Sequence, residues 1–85
     1  MIGTRLKRQT EAEMRRQLAV RVSTLRRGRK WTQQLLADKA GLPRGYVADI
    51  EGRRRNPSLN SLLRLSNALG IPLRMLFEEP EGVAE

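Results

Sequence analysis

The side chains in this 85-residue sequence with the most to offer chemically are its arginines, densest in "RRGRK" (residues 26–30) and "GRRR" (residues 52–55). A guanidinium group carries a permanent charge and a planar fork of donors that fits phosphate and the acceptor edge of guanine. Seventeen Lys and Arg stand against nine Asp and Glu, a formal net charge of +8, and the sequence has neither histidine nor cysteine. Imidazole catalysis, thiolate nucleophiles, disulfides and thiolate zinc sites are thereby excluded. No pair of carboxylates converges in the pattern. No catalytic residue, metal ligand or cofactor is therefore nominated, and the expectation is a protein that is not an enzyme. An excess of this size on a small chain points to a polyanion, nucleic acid before an anionic membrane surface.

The positive charge is graded along the chain. Residues 1–30 hold ten basic and two acidic side chains, residues 31–57 five and three, and residues 58–85 two and four. The amino-terminal part attracts phosphate and the carboxyl-terminal part does not. No apolar run approaches the roughly 20 residues that span a bilayer, and no signal-peptide stretch opens the chain. A cytoplasmic protein without a membrane partner is expected.

These basic clusters must be positioned by helices. "MIGTRLKRQT" has no apolar period and reads as a basic arm (residues 1–10). Met14, Leu18, Val22 and Leu25 then recur at helical spacing, predicting an amphipathic helix from Glu11 to near Gly28. Thr32 is placed to cap a short second helix to Ala40, with Trp31 and Leu36 as a hydrophobic staple and Gly41 as its left-handed stop. Pro43 is expected to start a third helix of about two turns with Val47 and Ile50 inward. A fourth helix follows from Ser58, with Leu59, Leu62, Ser66 and Leu69 on one stripe, Leu63 and Leu65 flanking it, and Gly70 closing it. Pro72 restarts a fifth short helix through Phe77, and "EEPEGVAE" (residues 78–85) is an acidic tail too polar to fold alone. The fold class predicted is all-α: a compact five-helix domain over residues 11–77 with a helix-turn-helix in helices two and three.

The run "LRRGRKWTQQLLADKAGLPRGYVADIEGRRRNPSLNSLLRLSNALGIPLRMLF" resembles the lambda-repressor-like (XRE/Cro-type) helix-turn-helix family. Its Leu-Arg at the end of helix one, Thr-Gln opening helix two, Ala-Gly turn, and Ile-Glu before a basic Asn-Pro-Ser loop carry the likeness. In its compact form the sequence is most similar to small restriction-modification controller proteins. The resemblance implies a transcriptional regulator that binds double-stranded DNA, at a near-palindromic operator, as a homodimer. The alternative is an antitoxin-type protein that binds a toxin partner and regulates its own operon.

The resemblance places Gln33 on a backbone phosphate at the start of helix two, and Arg53, Arg54, Arg55 and Asn56 in a loop along the phosphates. Around the third, recognition helix Arg44, Gly45, Tyr46, Ala48 and Asp49 are further candidate DNA-binding positions, although the small side chains of Gly45 and Ala48 depart from the polar readers common in the family. Projected at 100° per residue, the outer face holds Gly45, Ala48, Asp49 and Gly52, with Arg44 toward its flank. Arg44 is then either the main long reader, able to bond both acceptors of a guanine, or, from its flank position, a contact to phosphate only, and the first reading is preferred. Asp49 either accepts from a cytosine amino group or pairs with Arg53 one turn on, and the second reading is preferred because an acid near phosphates is costly unless paired. Whether Arg5, Lys7 and Arg8 enter a groove or only solubilise the arm is left open. Leu63, Leu65, Leu73, Leu76 and Phe77 form a surplus of large apolar groups and are the expected dimer interface.

Overall fold

Four α-helices and a 3₁₀ helix make up the regular structure of residues 8–78, the part of the chain that the computed structural model describes. They are α1 (Glu11–Gly28), α2 (Gln33–Ala40), α3 (Tyr46–Glu51), α4 (Leu59–Leu69) and the 3₁₀ helix Leu73–Phe77. No strand occurs among the described residues. Arg5 and Lys7 lie outside them, as does the tail beyond Glu78.

Each long helix starts where a hydroxyl satisfies a first-turn amide. Thr10, at the end of the segment read as an arm, caps α1: its Oγ1 accepts from Glu13 N at 3.1 Å, and the Glu13 carboxylate accepts from Thr10 N at 3.2 Å. Thr32 caps α2 through Leu35 N, as expected, and Ser58 caps α4 through Ser61 N.

The helix ends share one device. After each α-helix, two successive amides fold back onto the last-turn carbonyls about a residue with positive φ. Gly41 (φ +70°) and Gly70 (φ +72°) do this for α2 and α4, as the sequence predicts. Lys30 (φ +62°) does it for α1, and Arg53 (φ +63°) for α3. The turning residue after α1 is therefore Lys30 and not Gly28, and at both basic positions the side chain's Cβ is held in a strained region.

Leu18, Val22, Leu36, Ala37, Ala40, Leu42, Tyr46, Val47, Ile50, Leu65, Leu69 and Leu76 form the core. α1 lies against α3 and the 3₁₀ helix, and α2 lies against α3 and α4. Trp31 is partly buried and packs against this core, while Leu36, its expected staple partner, is fully buried within it.

Four expectations are corrected. The third helix begins at Tyr46, not Pro43: Gly45 adopts φ +83°, so the chain is still turning at residues 44–45, and Tyr46 N bonds Pro43 O at 3.1 Å. The fifth helix is 3₁₀, because five residues leave room for little more than the i→i+3 bond from Met75 N to Pro72 O. Leu59, expected in the core, is 72% exposed. Leu65 and Leu76, expected at the dimer interface, are fully buried. The inward stripe of α4 is centred on Leu62, Leu65 and Leu69, which puts Leu59 at its rim and Leu63, 49% exposed, further round.

Two substitutions test this account in urea unfolding. Lys30→Gly relieves a left-handed strain of roughly 1–2 kcal/mol at an unfolded-state entropy cost of about 0.5–1 kcal/mol, so it should stabilise by up to about 1 kcal/mol. Leu65→Ala should destabilise by roughly 2–5 kcal/mol. A Lys30→Gly protein less stable than the parent would contradict the strain assignment.

Candidate nucleic-acid interface

The helix-turn-helix is braced from beneath by one buried ion pair. Arg26, on the last turn of α1, donates from Nε to Glu51 Oε2 at 2.8 Å and from Nη2 to Glu51 Oε1 at 3.0 Å, while its Nη1 reaches Trp31 O at 2.8 Å. The two side chains are 11% and 8% exposed. Gln33 Nε2 adds a bond to Glu51 Oε1 at 2.9 Å, so the last residue of α3 is tied to α1 and to the first residue of α2. The hydrogen bonds to Glu51 raise the Arg26 pKa above the ordinary arginine range, outweighing burial, which lowers it. A raised folded-state pKa contributes stability below the unfolded value, so on the arginine side the contact persists throughout the working pH range. No buried side-chain nitrogen or oxygen among the described residues lacks a hydrogen-bond partner.

Above this brace a cleft of about 620 Å³ runs between α1, the start of α2 and the end of α3, lined among others by Arg27, Gln33, Ala48, Gly52, Arg53 and Arg54. Ala48 and Asp49 are half-exposed on α3, and Arg44 and Gly45 are exposed in the turn before it. The helical projection therefore holds for Ala48 and Asp49 and does not apply to Arg44 and Gly45. Tyr46, grouped with the DNA-facing positions, points into the core and is 8% exposed. Its ring serves the surface indirectly: the Arg55 guanidinium lies over it at 4.3 Å.

Asp49 is paired, but not with Arg53. Its two carboxylate oxygens each take one guanidinium, Arg54 Nη2 at 3.3 Å and Arg55 Nη2 at 3.3 Å. The left-handed turn at Arg53 ends the helix before a one-turn partner can form and sends the two following arginines back over it. Arg54 also donates to Ala48 O at 3.3 Å and lies so close over Gly52 that a Cβ there would run into its guanidinium. Asn56, the last member of the expected loop, accepts from Arg15 Nη1 at 2.7 Å.

The fold brings Gln33, Ala48, Arg53 and Arg54 to one cleft, and it adds Arg26, Glu51 and Arg15, which the sequence does not single out as site residues. Arg26 and Glu51 stand in the Leu-Arg and Ile-Glu pairs that carry the family resemblance, so a signal existed, but nothing in the spacing says that they meet. The charge gradient also overstates the free basic surface. Arg21 Nε is spent on Met75 O at 2.8 Å and Arg29 on Leu25 O and Leu69 O at 2.9 and 2.6 Å, where they cap helix ends. Arg8, Arg16, Arg27 and Lys30 remain exposed. Among the described residues no acidic cluster could hold a metal ion, and no helix is long and apolar enough to cross a membrane.

The helix-turn-helix family HTH_3 matches residues 22–76. The immunity repressor protein of Bacillus phage phi105 is 45% identical over 65 residues, covering 76% of this chain and 45% of that protein, so the chain spans less than half of that repressor's length. The crystal structure of the restriction-modification controller protein C.AhdI from Aeromonas hydrophila superposes with a TM-score of 0.71 at 38% identity, over 74% of this chain and 96% of that one. The hypothetical transcription factor NHTF from Neisseria superposes with a TM-score of 0.78 at 28% identity, over 95% and 93% of the two chains.

The brace has a measurable signature. Glu51→Ala, which leaves Arg26 buried without its counter-charge, should cost roughly 3–5 kcal/mol in denaturant unfolding, and an Arg26→Met, Glu51→Leu double variant should recover most of it. Equal losses in the single and double variants would show that packing, not charge, dominates the contact.

Proposed function

We propose that this chain, which belongs to the helix-turn-helix family HTH_3, is a sequence-specific DNA-binding transcriptional regulator that occupies a near-palindromic operator as a homodimer. One arrangement carries the reading: Gln33 at the start of α2, Ala48 on the outer side of α3, and Arg53 and Arg54 after α3 all border the same open cleft. A helix amino terminus with a Gln side chain and a flanking row of guanidinium groups suits two stretches of phosphate backbone on either side of an inserted helix. The binding unit is taken as residues 11–77, with residues 1–10 as a basic arm. Its relatives described as a repressor and a transcription factor fit a role without catalysis. Nothing in those relatives supports a toxin partner.

In this reading α3 lies in the major groove with small side chains outward, which lets its backbone approach the base edges closely. Direct readout then falls to Arg44, exposed just before the helix, while Gln33 hydrogen-bonds a phosphate, Arg53, Arg54 and Arg55 neutralise others, and the remaining preference comes from DNA shape. Asp49 acts through the two arginines that it holds.

Dimerisation is assigned to the carboxyl-terminal face. With Leu65 and Leu76 in the core, the apolar groups left for a partner are Leu59 and Leu63 on α4, adjoined by the half-buried Leu73 and Phe77. A twofold axis there would set half-sites about one helical turn, roughly 34 Å, apart.

Sites selected from random DNA should be near-palindromic, and a selection that returns no preferred sequence would remove the specificity reading. Against a single-substitution operator library, Arg44→Ala should lose preference at one G·C pair per half-site, about 1–3 kcal/mol. Uniformly weaker binding would instead assign Arg44 to phosphate. Leu63→Asp should sediment as a monomer at tens of micromolar while remaining folded, and a dimer of undiminished strength would move the interface elsewhere.

A further inference from the structure

We propose that Arg15 of α1 completes a socket for one backbone phosphate of the bound DNA, so that helix one is part of the interface; this rests on the DNA-binding reading above. Arg15, Arg53, Arg54, Arg55 and Asn56 line a single recess of about 250 Å³. Four arginines from two distant parts of the chain line it. The acids nearby neutralise only part of that charge: Asp49 takes one contact from Arg54 and one from Arg55, and Glu11 sits 3.5 Å from Arg15 with its own side chain 81% exposed. Four cationic side chains around one recess against two partly exposed acids leave it a positive potential that suits an anion.

The side chains that line the recess are held by contacts within the protein. Arg15 is aimed by its 2.7 Å bond to Asn56 Oδ1, which uses the acceptor of that amide and leaves its two N–H donors. Arg55 rests on the Tyr46 ring, Arg54 on Ala48 O over the bare Gly52, and Arg53 is kept in a left-handed conformation.

A tetrahedral phosphate matches this donor set, since each of its oxygens accepts several hydrogen bonds and guanidinium forks meet it two at a time. Continuity indicates a DNA phosphate and not a free anion. Arg53 and Arg54 border both the recess and the cleft that holds Gln33 and Ala48, so a strand lying along the cleft passes the recess.

The test uses the full chain and its selected operator duplex. Since each neutralised phosphate releases counterion, Arg15→Gln should flatten the plot of log K against log[salt] by about one unit per protomer, about two for a dimer, while Arg15→Lys keeps the slope. A methylphosphonate scan should find one phosphate per half-site whose neutralisation weakens wild type clearly more than it weakens Arg15→Gln. Should Arg15→Gln fail to fold, phenylglyoxal modification of the wild-type protein reads the same contact: operator DNA should protect Arg15 and not the adjacent, exposed Arg16. An Arg15→Gln protein with the wild-type slope and the wild-type methylphosphonate response, or an Arg15 as reactive with DNA as without it, overturns the proposal and leaves Arg15 a brace for Asn56. A wild-type slope near zero overturns the DNA-binding reading itself, and this inference with it.

Discussion

The Arg26–Glu51 ion pair is the constraint on which the rest of the architecture depends. Through the three nitrogens of one guanidinium, the end of α1 is joined to the end of α3 and to the Trp31 carbonyl that precedes α2, and Gln33 closes the set from the start of α2. A domain this small has a shallow core, and apolar packing tolerates sliding and rotation of one short helix on another. A bidentate contact does not, since its two bonds fix both distance and orientation. Burying the two charges is of little net benefit to stability, so the contact is better understood as fixing how α3 is presented. α3 has only six residues and could not hold its attitude from its own hydrogen bonds.

The arginines then divide by what the fold offers each of them. Arg26 finds a buried carboxylate, and Arg21 and Arg29 find carbonyls at the ends of the 3₁₀ helix and α4 that α1 happens to cross. These three bind the domain together. Arg53, Arg54 and Arg55 follow the reversal after α3 and end on the open surface, where Asp49, Tyr46 and the bare Gly52 restrict their motion. Holding a long side chain near its bound position reduces the entropy lost on binding. An acidic residue on the face proposed to meet DNA is thus compatible with that role, because its charge is consumed by the two arginines it orients.

The same division appears among the apolar residues of α4. Leu59, Leu62, Leu63, Leu65 and Leu69 are chemically alike, and a helical wheel accommodates more than one centre for the inward stripe. The position of the 3₁₀ helix, with Leu76 fully buried, draws the stripe to Leu62, Leu65 and Leu69 and leaves Leu59 and Leu63 outside. The apolar surface assigned to a partner subunit is therefore a residue of how the core was filled.

Features encoded within a few residues were legible in the amino-acid order: the period of α1, the Thr32 cap, the left-handed glycines 41 and 70, and the order of elements that makes a helix-turn-helix. Each depends on bonds between near neighbours, or on a glycine that tolerates positive φ, and so needs no knowledge of the rest of the fold. The family likeness rested on the same local marks. What the order of residues left undecided were choices among equivalents. Lys30 and Arg53 turn helices that no glycine turns, Tyr46 faces the core, Asp49 holds Arg54 and Arg55 instead of Arg53, and Arg15 meets Asn56 across 41 residues of chain. An arginine has the same chemistry wherever it occurs in the chain; only the carboxylate, carbonyl or ring that folding carries to within about 3 to 4 Å decides whether it is brace, cap or open contact.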